Sequence, residues 1–557
     1  MLPAPPESPS FTPGRRFHGV AREASTFVFF LVLALVATRP LGRDLASQMP
    51  VGSDPLIDLW TVHWVSGHLF SPDLFGGNVF HPFPGAVLYS DLSLGTAVLV
   101  APLRPLLRDP VPVYNVALLL ALAFGGWAWA LLGRALTLRL DAGLLTGTLA
   151  AYGSHQMAHV YHLNLLSTGF IALFGLGLLR LIERPGPGPV LLAGVSFALA
   201  AQSSGYYAVA CTVVALVVAA VRWRAFGERR VAIAALLAAL VAVALLAPYL
   251  HAFAALRQRE GQALERDPAL SETMAIQPGR DLTSHGYLYG ALLGSEGEQL
   301  FPGVLALALA GVALRRRRPY ASVLAASAAA LLMLALGPRV SLFGSSIALP
   351  YAALFALPPL DSMRHPYTFA AVATFLLAAL AGIGWSSLAV SRWRGAGVAV
   401  VSLAILETLG PGIQVRPVAP GLPPVYKRLL ALPPGAALDL PVLEPETLLF
   451  AARHGRPVVN GAGAFTPLYT ATLDRHVRNH WLRRVPADVD PSKPAEFLRR
   501  AFDTRYLLLP TGRRHGLWPL AFAFDRSRGF RLVAEAEDGD RIYEVVRATV
   551  EAQGGRP

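Results

Sequence analysis

The sequence predicts a mainly α-helical, polytopic transmembrane bundle of about eleven spans with a C-terminal extracytoplasmic α/β domain. Three observations lead there. Of 557 residues, 54% are hydrophobic and only 15% are charged, which leaves too little polar surface for a soluble enzyme of this length. Runs such as 231–250 and 319–336 carry no charge and approach the roughly 20 residues a helix needs to cross a bilayer. After Gly410 charged residues and histidines become frequent and the apolar runs shrink to strand length.

The basic excess is topological. Lys+Arg number 48 against 35 Asp+Glu, and Lys427 and Lys493 are the only lysines. The arginines cluster between apolar runs, where the positive-inside rule puts them, so nucleic acid is not an expected partner. The single cysteine, Cys211, lies in an apolar run and excludes a disulfide framework or a cysteine-based zinc cluster within the chain.

In chain order, 1–22 is a Pro-rich, basic tail that Arg15, Arg16 and Arg22 hold in the cytoplasm. Residues 23–410 form the membrane domain of an inner-membrane protein. After the first apolar run, 27–37, the outer loop 43–111 is rich in Asp, His, Trp and Pro. The basic clusters 222–230, 315–318 and 392–394 fix cytoplasmic turns, and spans near 112–133, 142–158, 163–182, 189–203, 206–222, 231–250, 302–314, 319–337, 366–388 and 396–410 alternate between them. If 92–107 also crossed, this parity would fail. That segment is short and broken by Pro102 and Pro105, so it reads as a half-inserted or interfacial helix. The loop 251–300 then lies outside, as does 411–557. In that domain 436–442, 457–459, 505–509, 530–534 and 541–546 read as strands, and 446–454, 468–481 and 494–502 as helices.

Inside the spans Glu407 is the exception to an almost complete lack of ionisable residues, which argues against ion-coupled transport. Titratable groups gather in the outer loops instead. Asp54 and Asp58 are four apart and share a helical face, with Trp60, His63 and Trp64 on a neighbouring stripe. Two readings of Asp54 stand: a helix cap ahead of Pro55, or chemistry. Arg364 before the span at Pro366 reads either as an interfacial anchor or as a phosphate ligand. His155, His159 and His162 recur at helical spacing, which suits a shared divalent metal or hydrogen bonding at the interface. No phosphate-binding glycine loop or nucleophile elbow occurs, so neither ATP nor a nucleotide-sugar is an expected donor.

Several segments carry a resemblance in their order along the chain: Gly52-Ser53-Asp54-Pro55-Leu56, Asn78-Val79-Phe80-His81-Pro82, Tyr89-Ser90-Asp91, Tyr161-His162-Leu163-Asn164, Ser204-Gly205-Tyr206-Tyr207, Arg364-His365-Pro366-Tyr367 and Val459-Asn460-Gly461. Together they resemble the GT-C class of membrane glycosyltransferases, and most of all its bacterial YfhO-like branch. The resemblance implies an inverting transfer of a sugar from a polyprenyl-phosphate carrier to a glycan, lipid or protein acceptor at the outer face. Asp54 would be the general base, with Asp58 the competing choice and Asp91 a second carboxylate. Arg364 and His365 would take the leaving phosphate. His162, His81, His63, Tyr206 and Tyr207 would contact substrate or lipid, and no cofactor beyond a divalent metal is implied. The other functional classes compatible with the residues are a lipid or glycan flippase and a non-catalytic envelope-assembly protein.

Overall fold

The computed structural model describes residues 13–264, 268–342, 345–357, 360–482, 492–512, 517–527 and 529–546. The first helix, Pro13–Ala37, takes up the second half of the basic tail, and residues 1–12 lie outside the described set.

Apolar helices stand in the order the sequence sets. Five are long and apolar enough to cross a membrane on length and composition: Gly19–Ala37, Pro110–Thr137, Leu163–Glu183, Arg229–Glu260 and Tyr367–Ser386. Shorter ones, Leu140–Ala151, Pro187–Ser203, Gly205–Val221, Val304–Arg315, Ala321–Ala335 and Gly395–Thr408, fill the remaining expected positions. The protein is a multi-pass membrane protein. Arg134, Arg139, Arg180, Arg184, Arg222, Arg229, Arg315 and Arg316 all fall at helix ends on one side of this alternation.

Pro110–Thr137 and Tyr367–Ser386 form the buried centre, with Trp129 and Phe375 in contact at 5.8 Å between ring centroids. Glycines allow the closest approaches. A Cβ on Gly384 would lie 1.8 Å from the Leu309 carbonyl oxygen, so the Val304–Arg315 helix can seat there only against glycine. Arg229–Glu260 lies at the periphery, exposing Ile233, Leu236, Leu240 and Val243 as a lipid-facing helix does. It also continues past Pro248 to Glu260, so the expected outer loop from 251 begins as helix.

Glu407 is absorbed by structure. Its Oε1 accepts the Tyr289 hydroxyl at 2.6 Å and the Leu305 N–H at 3.1 Å, satisfying a donor in the first turn of the neighbouring helix. The segment expected to be half-inserted forms a short helix, Leu94–Val100, and a 3₁₀ turn, Ala101–Leu103, packed among the helices Asp54–Gly67, Pro110–Thr137 and Pro187–Ser203.

The C-terminal region builds a four-stranded sheet in the spatial order Ala436–Asp439, Thr504–Leu509, Arg541–Val545, Phe530–Glu535. The first pair is parallel and the other two are antiparallel. The expected strand at 457–459 contributes one bridge, Val458 beside Ala437, and two helices absent from the expectation, Pro424–Ala431 and Trp518–Asp525, complete the layer. This domain is stitched to the first outer loop. Gln48–Pro50 pairs antiparallel with Val415–Pro417, and the backbone N–H groups of Phe80 and His81 donate to the carbonyls of Asn460 and Val458 at 2.8 and 2.9 Å.

Candidate active site

Asp54, Asp58, Asp91, His159, His162, Tyr206, Arg364 and His365 line one cavity of 610 Å³ between the bundle and the C-terminal domain. It lies at the helix ends opposite the arginine-rich turns. Its size is that of a small-molecule site, and its mixture of apolar wall and a few convergent polar groups is the usual composition of one.

The helix Asp54–Gly67 brings the first two carboxylates in through its four-residue spacing. Ser53 makes no side-chain cap bond, and Asp54 instead points to His162, with Oδ2 3.7 Å from Nε2. Trp60, Trp64 and His68 stack along the adjacent stripe at 6.1 and 4.1 Å, fixing the helix's rotation.

The three aspartates occupy different environments. Asp58 is 7% exposed and its Oδ2 accepts the Leu163 N–H at 2.7 Å. Burial pushes its carboxyl up to about 8, and the neighbouring charges of Asp54 and Asp91 push the same way. Asp91 accepts Asn164 Nδ2 at 2.6 Å, and burial raises it to about 6. At neutral pH Asp58 is therefore mostly protonated and Asp91 mostly ionised, while Asp54, with about half its side chain exposed, faces the cavity most openly. Burial lowers His162 to about 4, with the neighbouring His159 adding to the effect, so its ring is neutral.

Arg364 is held from two directions. Its backbone N–H and that of His365 both donate to the Tyr206 hydroxyl oxygen, each at 2.8 Å, and its Nε donates to His365 Nε2 at 2.9 Å. The bond to His365 occupies Nε and leaves both terminal nitrogens of the planar fork to meet an oxyanion. Asp361, three residues earlier, takes both arms of Arg257 from the long peripheral helix. That helix also gives the cavity an apolar wall of Leu246, Tyr249, Leu250 and Phe253, and the C-terminal domain closes another side with Gly463, Ala464 and Phe465.

At the rim, His155, His159 and Glu298 bring one potential ligand atom each to within 4.8 Å of one another. The Nδ1 atoms of His155 and His159 lie 2.8 and 3.1 Å from the carbonyls of Glu298 and His155, and so act as donors. That leaves Nε2 as the ring atom each histidine can turn to an incoming group. His159 Nε2 lies 3.1 Å from Glu298 Oε2, an oxygen buried without a hydrogen-bond partner. Two acceptors at that distance require a proton or a cation between them. The donor set fits a divalent metal of borderline softness.

Three expected site residues stand elsewhere. His63 is turned to Arg104, whose Nη2 is 3.4 Å from its Nε2, and burial with that cation pushes it down to about 3. His81 lies where the first loop meets the C-terminal domain, its backbone bonded to Val458 and its Nε2 buried without a hydrogen-bond partner. Tyr207 points into the bundle, donating to the Leu165 carbonyl at 2.5 Å. In each case an adjacent or periodic position has the opposite facing, as with Tyr206 and Tyr207 at the start of one helix. Conversely Glu298, Tyr249, Phe253 and the 463–465 segment enter the site without any motif to announce them.

Fold and cavity define a polytopic helical membrane protein with a mixed-sheet extramembrane domain and a polar chamber between the two. No known family matches the chain, and no curated protein does. Among solved structures it is similar to ArnT from Cupriavidus metallidurans in the apo state, with 12% identity, 95% of this chain and 98% of that one covered, and a TM-score of 0.49. It is also similar to the oligosaccharyltransferase AglB from Archaeoglobus fulgidus, solved with an inhibitory peptide and a dolichol-phosphate. Identity there is 12%, coverage 96% and 76%, and the TM-score 0.45.

Proposed function

We propose that this protein is an inverting membrane glycosyltransferase that moves a sugar from a polyprenyl-phosphate carrier to an acceptor hydroxyl or amide at the extracytoplasmic face. One observation carries the reading: the carboxylates of Asp54 and Asp91 share a single cavity with the guanidinium of Arg364. A base and an oxyanion ligand in one chamber are what displacement at an anomeric carbon demands. Reading the arginine-rich helix ends as cytoplasmic supports an extracytoplasmic chamber, which lies at the opposite helix ends.

In that reaction Asp54 accepts the proton of the acceptor as its oxygen or nitrogen bonds to the anomeric carbon, and the bond from that carbon to the carrier's phosphate oxygen breaks. Arg364 receives the charge that gathers on the departing phosphate. Asp58, held neutral, donates to or orients a sugar hydroxyl, and Asp91 accepts from another. The wall formed by Leu246, Tyr249, Leu250 and Phe253 suits the first isoprene units of the carrier. A divalent cation, held by His155, His159 and Glu298, would add positive charge at the rim. The engagement of Glu407 in helix packing weighs against an ion-coupled transporter.

The test is turnover of a panel of radiolabelled polyprenyl-phosphate sugars by the purified protein, in parallel with Asp54→Asn. Release of polyprenyl phosphate by the wild type alone supports the reading. Lipid binding by both proteins with turnover by neither removes it in favour of a structural role.

A further inference from the structure

A second cleft lies at the opposite, arginine-rich end of the bundle, remote from the chamber and with no part in the proposed reaction. It is lined by Ile171, Phe174, Gly175, Leu178 and Ile182 of one helix, by Cys211, Val214 and Val218 of a second, and by Val323, Leu324 and Ser327 of a third. Trp129 stands on its wall, and Arg222 and Tyr320 stand at its mouth.

Its length can be read from the helices. Ile171 to Ile182 spans about 16 Å at 1.5 Å per residue, as does Cys211 to Arg222. Half of a hydrocarbon core of about 30 Å is about 15 Å. The cleft therefore runs from one headgroup level to the bilayer's mid-plane, the depth of a single acyl chain.

Its mouth carries the complementary charge. Arg222 Cζ sits 5.3 Å from the Tyr320 ring centroid, and among the described residues its guanidinium has no carboxylate partner. The nearby carboxylate of Glu183 is occupied by the Tyr320 hydroxyl, which donates to it at 2.8 Å. On the wall, Trp129 Nε1 and Ser327 Oγ are buried without hydrogen-bond partners. The lining also has room: a Cβ on Gly175 would meet only Leu132 Cδ2, at an ordinary 3.5 Å.

We infer that this cleft is a binding site for a diacyl glycerophospholipid of the leaflet at the arginine-rich face, with one acyl chain between the helices and the phosphate on Arg222. The assignment is independent of the catalytic reading, since none of these residues lines the chamber.

Trp129, wholly buried, supplies the probe. The purified full chain is reconstituted in bilayers with increasing mole fractions of phosphatidylglycerol brominated on its acyl chains. The fluorescence lost by wild type minus that lost by Trp129→Phe isolates this one indole. Expected is saturable quenching of Trp129 that Gly175→Phe or Val214→Phe, each filling the cleft, removes. Arg222→Gln should raise the half-saturating lipid fraction about fivefold, the change expected for one basic side chain at an anionic surface. Brominated diacylglycerol, lacking the phosphate, should not distinguish Arg222→Gln from wild type. Gly175→Ala, with size-exclusion and melting profiles taken for every variant, controls for packing. Absence of Trp129 quenching in the wild type, or equal quenching in wild type and both folded filling variants, overturns the site. Quenching that responds to filling but is indifferent to Arg222 overturns the phosphate contact.

Discussion

The hydroxyl oxygen of Tyr206 accepts the backbone N–H of Arg364 at 2.8 Å, and the same oxygen takes the N–H of His365 at the same distance. A single side chain from the start of one helix thus sets the entry of the 364–368 segment into another. Tyr206→Phe removes that acceptor and strands two donors. With about 1–3 kcal/mol for each polar group left unpaired, the segment should loosen and donor turnover should fall about tenfold or more. Arg364→Lys, which keeps the charge and loses the planar fork, should raise the KM for a phosphate-linked donor more than it lowers kcat. Steady-state kinetics on both variants separates positioning from charge.

Asp54 and Asp58 should behave oppositely on substitution. Asp54→Asn should cost about 10²–10⁴ in kcat with little change in lipid binding, the range for losing a general base. Asp58→Asn should keep the bond from the Leu163 N–H, because the amide oxygen accepts as the carboxyl does, and should retain much of the activity. Equal losses in the two variants would contradict the division of roles.

Stability offers a second test of Asp58. Its folded-state value of about 8 lies above the ordinary 3.8 of an unfolded aspartate, so the native protein binds the extra proton between those limits. The stabilisation is present at low pH, declines as pH rises from about 4 to about 8, and is gone beyond that. The groups facing Asp58 are Asp54, Asp91 and the Tyr114 hydroxyl. Asp58→Asn should therefore melt several degrees above wild type at pH 9 and near it at pH 4 in detergent. A parallel pH dependence in both proteins would reject the buried-acid assignment.

The rim cluster predicts metal binding. Equilibrium dialysis against zinc or manganese should show one site per chain that Glu298→Gln weakens and His155→Ala with His159→Ala abolishes. The bond from His155 Nδ1 to the Glu298 carbonyl orients the ring and fixes its tautomer, so loosening it should cost about 10- to 100-fold in affinity. Stoichiometric binding that is unchanged in both variants would place the metal elsewhere.

Asn78 is the polar pin between the first loop and the C-terminal domain. Its Oδ1 accepts Trp60 Nε1 at 2.9 Å, and its Nδ2 donates to the carbonyls of Ala451 at 2.8 Å and Arg456 at 3.2 Å. Asn78→Ala leaves these buried groups unpaired and should destabilise the docking by about 2–4 kcal/mol. Limited proteolysis should then cut faster after Gly410, while the spectrum of the membrane helices stays unchanged.

How much of this was legible follows the range of the interactions. The apolar helices could be located because a bilayer requires each span to satisfy its own backbone locally, and because the arginines gather at alternate ends. The shared face of Asp54 and Asp58 was equally local, a matter of four residues on one helix. The same reasoning misplaced His63, His81 and Tyr207. Residues beside or near a site in sequence face away from it unless the period is right, and the rotation of each helix is fixed by contacts such as the Trp60, Trp64 and His68 stack and the Tyr207 bond to Leu165.

By itself, then, the sequence determined the membrane bundle and its order, the mixed domain after Gly410 and the polarity of the loops, all of which depend on composition and short periods. The tertiary structure alone decided which polar residues meet. Glu298 reaches His159 across more than a hundred residues, Arg257 grips Asp361 from another helix, and the 463–465 segment closes the chamber from a separate domain. Such meetings depend on how rigid helices pack and turn against one another, and no pattern within one segment records that geometry.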